Sequence, residues 1–349
     1  MHNIVRYQTF ISAGVSTRTI RQALACCLLK LSCGVYSVVV DCHRPEHRRI
    51  AAFIDDRKWT SFHEQRTAAE LEDDYKYQEV LQRLRICHYP CYRGGDVIWG
   101  ISAAHLHEIP LFGVATGPIS VLHPTSASRS SQIARTARAV DDADLCCVES
   151  LTATSPYRTS LDLIRILGQQ AAFAAAEATL RRSLLGKTEP DWLRFGYPDE
   201  FTALGRERVV DNFYPVIGRL RQGRVTARRL VDNISPLSES IAESYCSFCL
   251  HAVKLGGFEQ QVKIADGRGT IARVDFLHRE SMTILEVDGV GKYVKVGRDK
   301  MSRESYQHNR LLALGYTVVR FRFRDLLNPS DFAAKLFSQA PRLKRFVRR

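Results

Sequence analysis

The stretch "ARVDFLHRESMTILEVDGVGKY", residues 272 to 293, sets Asp275, Glu286 and Asp288 inside two apolar runs joined by a polar turn. With the turn centred between Glu280 and Ser281, Asp275 falls opposite Glu286. Glu286 and Asp288 then share one face, because strand side chains alternate. Carboxylates opposed across strands repel, so the pattern asks for positive charge between them. Hard oxygen ligands suit Mg²⁺ or Mn²⁺, and such an ion bridges to phosphate. The competing expectation is an ion-pair ladder, with Arg273 opposite Asp288. Further on, "YTVVRFRF" carries Arg320, Arg322 and Arg324 on one side and Val319, Phe321 and Phe323 on the other. An arginine row beside carboxylates is suited to holding a phosphodiester next to a metal.

The elements that must position these groups are readable in the same third of the chain. Ser235 and Pro236 mark a helix start, with Ile241, Tyr245, Phe248 and Ala252 as its buried stripe and Gly256 and Gly257 as its stop. A strand "EQQVKI", a turn "ADGRGT" and the hairpin follow. A helix bearing Tyr306, Arg310, Leu311 and Leu314 then ends at Gly315, ahead of the arginine strand.

This ordered set, helix with "ES", then "VDF", "EVDG", "KY" and "LGYTVVRF", resembles the domain family related to very-short-patch-repair endonucleases, within the PD-(D/E)XK nuclease superfamily. The resemblance covers roughly residues 236 to 328. It implies a restriction-endonuclease-like α/β domain with a mixed central sheet, and a Mg²⁺- or Mn²⁺-dependent endodeoxyribonuclease activity. It also implies roles: Glu243 as the acid of the first helix, Asp275 and Glu286 as the strand acids, and Asp275, Glu286 and Asp288 as metal ligands. Asp288 stands where the superfamily has lysine, and Lys292 stands where relatives have His or Lys, as the group that would stabilise developing charge. Gln261, Glu304 and Arg310 match recurring positions; Gln261, Arg310, Arg320 and Arg322 are the expected substrate contacts.

The start of the chain reads differently. In "AGVSTRTIRQALACCLLKLSCGVYSV", Ser16 or Thr17 caps a helix that turns Ile20 and Leu24 inward and Arg18 and Arg21 outward, and Gly34 opens a turn into a strand. Together with "TSPYRTSLDL" (Thr154, Ser155, Pro156, Arg158, Thr159, Asp162), this pattern resembles the type IV abortive-infection antitoxin family. The resemblance implies an N-terminal winged-helix-like module and, as the alternative function, a non-catalytic DNA-binding regulator with a cognate toxin. Pro156 at the first helical position places Leu161, Ile164 and Leu167 on a buried stripe. The expected organisation is a winged-helix-like module at 1–45, an antitoxin-like middle region at 46–180, a basic helical connector at 181–234, the nuclease-like domain at 235–342 and a basic tail at 343–349. Within the middle region, the acidic residues 60 to 85 read as a solvated helix.

Composition bounds these expectations. The chain has 349 residues, 45% apolar, and a formal charge of +13. From residue 236 onward there are 20 Lys and Arg against 12 Asp and Glu, so that third holds about eight of the net charges. Such a surface attracts polyanions and releases counterions on binding DNA. No basic-then-apolar leader is visible, and the run from 23 to 40 is interrupted by Lys30 and Gly34; a cytoplasmic protein without a membrane span is expected, of unassigned oligomeric state. Ten cysteines include Cys26/Cys27 and the CxxC of Cys246 and Cys249. A zinc site wants a second ligand pair at matching spacing, and Cys87 and Cys91 are far off in sequence. Cys246 and Cys249 therefore read as small core residues, and His105 and His107 as ordinary helix packing.

Overall fold

β1 (Ile4–Arg6) and α1 (Tyr7–Ser12) lead into α2 (Thr17–Ala23), then the hairpin β2 (Leu28–Ser32) and β3 (Val35–Val38), with sheet order β1-β3-β2. The Ser16 hydroxyl accepts the Thr19 N–H at 3.1 Å, satisfying one donor that a helix start leaves orphaned. Gly34 takes φ +66° in the hairpin turn, a conformation open to glycine because it has no Cβ. Ile20 points inward and Arg18 and Arg21 outward as expected, but α2 ends at Ala23, so Leu24 is outside it and exposed. The apolar run from 23 to 40 is this helix end and hairpin. Among the described residues no helix is long and apolar enough to cross a membrane.

This computed structural model describes residues 2–113, 117–186, 190, 193, 196–289 and 298–348, with 298–304 described by backbone alone. The chain is mixed α/β and divides into two units, 1–108 with 113–155, and 109–112 with 156–349. The expected middle region, 46–180, is therefore shared between the two.

In the first unit the core of the opening module runs past residue 45: Ile50 of α3 (Arg48–Ala51) is buried in it, with Phe53 and Ile54 against it. α4 (Arg57–Glu64), α5 (Ala68–Asp73) and α6 (Tyr75–Cys87) replace the single solvated helix expected over 60 to 85. Only α5 fits that expectation, because α6 buries Tyr77, Leu81, Leu84 and Ile86. A six-stranded sheet follows from β4 (Val97–Ile98), α7 (Gly100–Leu106), β5 (Ile119–His123), β6 (Ser128–Arg129), β7 (Ile133–Ala137), β8 (Leu145–Val148) and β9 (Leu151–Thr154), in the order β6-β7-β5-β4-β9-β8. His107 packs with Nε2 2.7 Å from the Thr154 carbonyl oxygen.

The second unit opens with α8 (Pro156–Ile166) and α9 (Gln169–Leu185). α8 buries Leu161, while Ile164 and Leu167 are half-buried; the ion pair Arg158–Asp162, at 3.1 Å, takes up much of the inward face instead. α10 (Phe201–Arg208), α11 (Tyr214–Arg219) and α12 (Arg224–Val231) were expected as a connecting arm. They fold into the second unit, because Phe201, Val216, Ala227, Leu230 and Val231 are buried.

The remaining core is α13 (Ile241–Ala252), β10 (Phe258–Asp266), β11 (Gly269–His278), β12 (Thr283–Asp288), α14 (Arg298–Ala313), β13 (Thr317–Arg322) and α15 (Pro329–Gln339). The sheet order is β10-β11-β12-β13: the first three strands are antiparallel and β13 lies parallel to β12. One face, with Phe276, Leu285, Val287, Val319 and Phe321, packs with α13 and α15; the other buries Ile264, Leu277, Ile284 and Leu311. Cys246 and Cys249 are core residues of the first face.

Three local expectations shift. α13 starts at Ile241 rather than Ser235, because Ser240 caps it. The last strand stops at Arg322, and the turn Phe323–Leu326 takes Arg324 out of the arginine row. The basic tail is folded rather than free: Leu343 is buried and the Arg348 N–H donates to the Lys254 carbonyl at 3.0 Å.

Candidate functional site

The hairpin register predicted from the turn is the observed one. Phe276 pairs with Leu285, Leu277 with Ile284 and His278 with Thr283, so Asp275 and Glu286 are next in line. Backbone pairing stops there. The Val287 N–H donates instead to the Asp275 carboxylate at 2.8 Å, so the strands part where the acids stand.

β10 is also irregular at this level. Gln261 lies across from Asp275 between the pairs Gln260–Phe276 and Val262–Val274, and it adopts φ +56°. A left-handed residue other than glycine inside a strand is strained, and such strain persists where surrounding contacts over-determine it. Here the buried Gln261 amide donates to Glu243 at 2.8 Å.

Glu243 belongs to the sequence Ser240-Ile-Ala-Glu243, the spacing of a helix capping box. Its N–H donates to the Ser240 hydroxyl, and its carboxylate accepts from Ser240 Oγ at 2.8 Å and the Glu239 N–H at 2.9 Å. Despite these donors, burial pushes its carboxyl up to about 7, with the negative charge of Asp275 adding to the rise. Two acids drawn together in a low-dielectric setting cannot both ionise cheaply.

Glu286 and Asp288 have a different environment. The parallel register sets Glu286 beside Arg320 and Asp288 beside Arg322, and Arg320 Nη2 reaches the Glu286 carboxylate at 2.6 Å. Arg320 and Arg322 are exposed, with Phe321 between them in the core. Arg273, expected opposite Asp288, instead pairs with Glu239 at 2.8 Å and donates to the Leu193 carbonyl. Arg310 binds Asp266 at the far end of β10, so it does not join the acids. Lys292 lies outside the described residues, as does the side chain of Glu304.

The structure therefore brings Glu243, Asp275 and Gln261 together and sets Glu286 and Asp288 against the arginines of β13. Asp275, Glu286 and Asp288 do not form a group with all ligand oxygens within 4.8 Å. The donors at the parted strands, Asp275 and Glu286, are hard carboxylate oxygens, the ligand type that a divalent cation takes.

One acid was missed in the sequence. Glu177, in the Ala-rich α9, is fully buried, and its carboxylate accepts the Ser235 N–H at 2.9 Å. Burial pushes its carboxyl up to about 8; Ser238, Ser244 and the Ser235 N–H pull the other way and Glu243 pushes further up. A charged residue in an otherwise apolar helical stretch was the available signal. A second group was missed in the first unit, where Cys26, Cys27, Cys42 and His47 converge.

No family model matches the chain, and neither a curated protein nor a solved structure matches it.

Proposed function

We propose that the second unit is a very-short-patch-repair-like PD-(D/E)XK endonuclease domain of a DNA-binding protein that hydrolyses phosphodiesters with Mg²⁺ or Mn²⁺. The observation that carries this reading is the parting of β11 and β12 at Asp275, with Glu243 behind it and Glu286 beside it. The order of helix, three antiparallel strands, helix and parallel strand supports the restriction-endonuclease-like assignment. Asp275 and Glu286, with Asp288 and Glu243 in support, would hold the cation. Bound there, the ion would polarise the scissile phosphate and lower the pKa of an attacking water. Arg320 and Arg322 stand exposed on the neighbouring strand, where guanidinium groups pair with phosphate, and Lys292 is assigned the charge-stabilising role.

The alternative is an antitoxin-type regulator that binds DNA and a toxin without turnover. It is favoured by the Arg320–Glu286 pair and the capping role of Glu243, which give two of the acids structural partners, and by the β1-α1-α2-β2-β3 module.

Incubation of the full chain with supercoiled plasmid in Mg²⁺, Mn²⁺ or EDTA separates the two. Nicking or linearisation with metal and none with EDTA is expected; binding with no cleavage in either metal selects the regulator. DNA affinity should also fall steeply with salt, with a slope of log K near −0.9 for each phosphate neutralised. Salt-independent binding would remove the electrostatic basis of the DNA assignment.

A further inference from the structure

Three cysteines and a histidine of the first unit follow no simple sequence pattern: two cysteines adjacent in the turn after α2, one in the irregular segment after β3, and the histidine ending the short 3₁₀ turn Pro45–His47. In space they converge. Cys26 Sγ lies 3.7 Å from Cys27 Sγ and 4.0 Å from Cys42 Sγ. His47 Nδ1 lies 3.4, 3.6 and 3.3 Å from the sulfurs of Cys26, Cys27 and Cys42.

Hydrogen bonding does not account for this. A neutral imidazole nitrogen either accepts one hydrogen bond through its single lone pair or donates one proton, yet three sulfurs crowd the same atom. The distances are instead those of a coordination tetrahedron. With Zn–S about 2.3 Å and Zn–N about 2.05 Å, a regular tetrahedron has edges of about 3.8 Å between sulfurs and about 3.5 Å between sulfur and nitrogen. The observed edges scatter closely around both values.

We propose that Cys26, Cys27, Cys42 and His47 form a structural zinc site, with three thiolates and the Nδ1 of a neutral histidine as the four ligands. The closed Cys₃His set leaves no open position, so the ion acts on stability rather than on a substrate. Its place in the fold gives the reason. Cys27 and the neighbouring Phe10, Ile20, Val38 and Ile50 belong to one small core, with Cys26 and Cys42 packed against it. That core lies within roughly the first 54 residues, and a metal held there would add its binding free energy to what apolar burial supplies. The ion would tie the segment after β3, which has no regular structure until Pro45, to the turn between α2 and β2. Binding releases the thiol protons, so zinc should be lost on acidification.

The test uses the full chain purified without chelator under reducing conditions, with metal measured by elemental mass spectrometry. One zinc per chain is expected, falling to near zero in Cys42→Ser and unchanged in Cys33→Ser, whose sulfur is exposed and outside the group. Because Cys42→Ser could fail to fold, a second measurement uses the wild-type chain alone. Exchange with Co²⁺ should give the intense visible bands of a tetrahedral ion together with thiolate-to-cobalt charge transfer. A wild-type chain without stoichiometric zinc, a cobalt spectrum of octahedral type, equal zinc in Cys42→Ser, or a Cys26–Cys42 disulfide in the purified chain would each overturn the assignment.

Discussion

Asp275→Asn and Glu286→Gln proteins should leave supercoiled plasmid intact under Mg²⁺ conditions in which the wild-type chain cuts it, a loss on the order of 10²-fold or more for groups at the reacting centre. Fold loss is not the expected cause. An asparagine at 275 keeps an oxygen that can accept the Val287 N–H, and it removes the charge that pushes the Glu243 carboxyl up. The metal-free Asp275→Asn protein should match or slightly exceed the wild type in stability, by roughly 0.2–1 kcal/mol on the scale of cross-strand pairs. Glu286→Gln gives up only the half-exposed Arg320 pair, worth about 0–1 kcal/mol. Added Mg²⁺ should raise the melting temperature of the wild type by mass action, and the substitutions should erase that shift. Wild-type cleavage should also rise with pH through about 7, since a proton on Glu243 opposes a cation beside it. Strong destabilisation by Asp275→Asn with no metal-dependent shift in the wild type would assign the acids to a structural network and end the nuclease reading.

The second large effect concerns Glu177. Its carboxyl, pushed up to about 8 by burial, keeps its proton in the folded chain at pH values where the unfolded chain has lost it. Between the unfolded value near 4.3 and about 8, the native state binds the extra proton, so stability falls as pH rises across that window. At about 1.4 kcal/mol per unit, the full loss across that window is on the order of 5 kcal/mol by pH 9. Glu177→Gln should be nearly neutral at pH 5 and more stable than the wild type at pH 9 by that order. Its amide oxygen can still accept the Ser235 N–H, and its amide nitrogen can donate to a serine hydroxyl. Urea titrations of both proteins at the two pH values measure the difference. Glu243 contributes a slope of the same sign up to about 7, so the variant should retain part of the wild-type decline. Parallel curves for the two proteins would mean that Glu177 is ionised and compensated in the fold.

What was legible in the sequence is what short-range rules govern. A polar turn of defined centre fixes the pairing of the strands on either side, because a one-residue slip would expose Phe276, Leu285 and Val287; the register of the carboxylate hairpin followed from that alone. Ser16 as a cap, Gly34 as a turn, and the alternation of Arg320, Phe321 and Arg322 are equally local. Even the misplaced start of α13 had a local signal, since Ser240 and Glu243 stand at capping-box spacing.

Only the tertiary structure decided which charges meet. β13 reaches β12 through α14, and that crossover sets Glu286 beside Arg320 without any turn to announce the register. Glu177 sits in an Ala-rich helix whose burial depends on α13 and the serines before it, groups more than fifty residues away. Cys26, Cys27, Cys42 and His47 have irregular spacing because a hairpin and a loop separate them, and ligand geometry in space places no constraint on the count of residues between ligands. Local propensity fixes elements, whereas the desolvation and Coulomb energies that shape these sites depend on through-space distances that chain folding alone supplies.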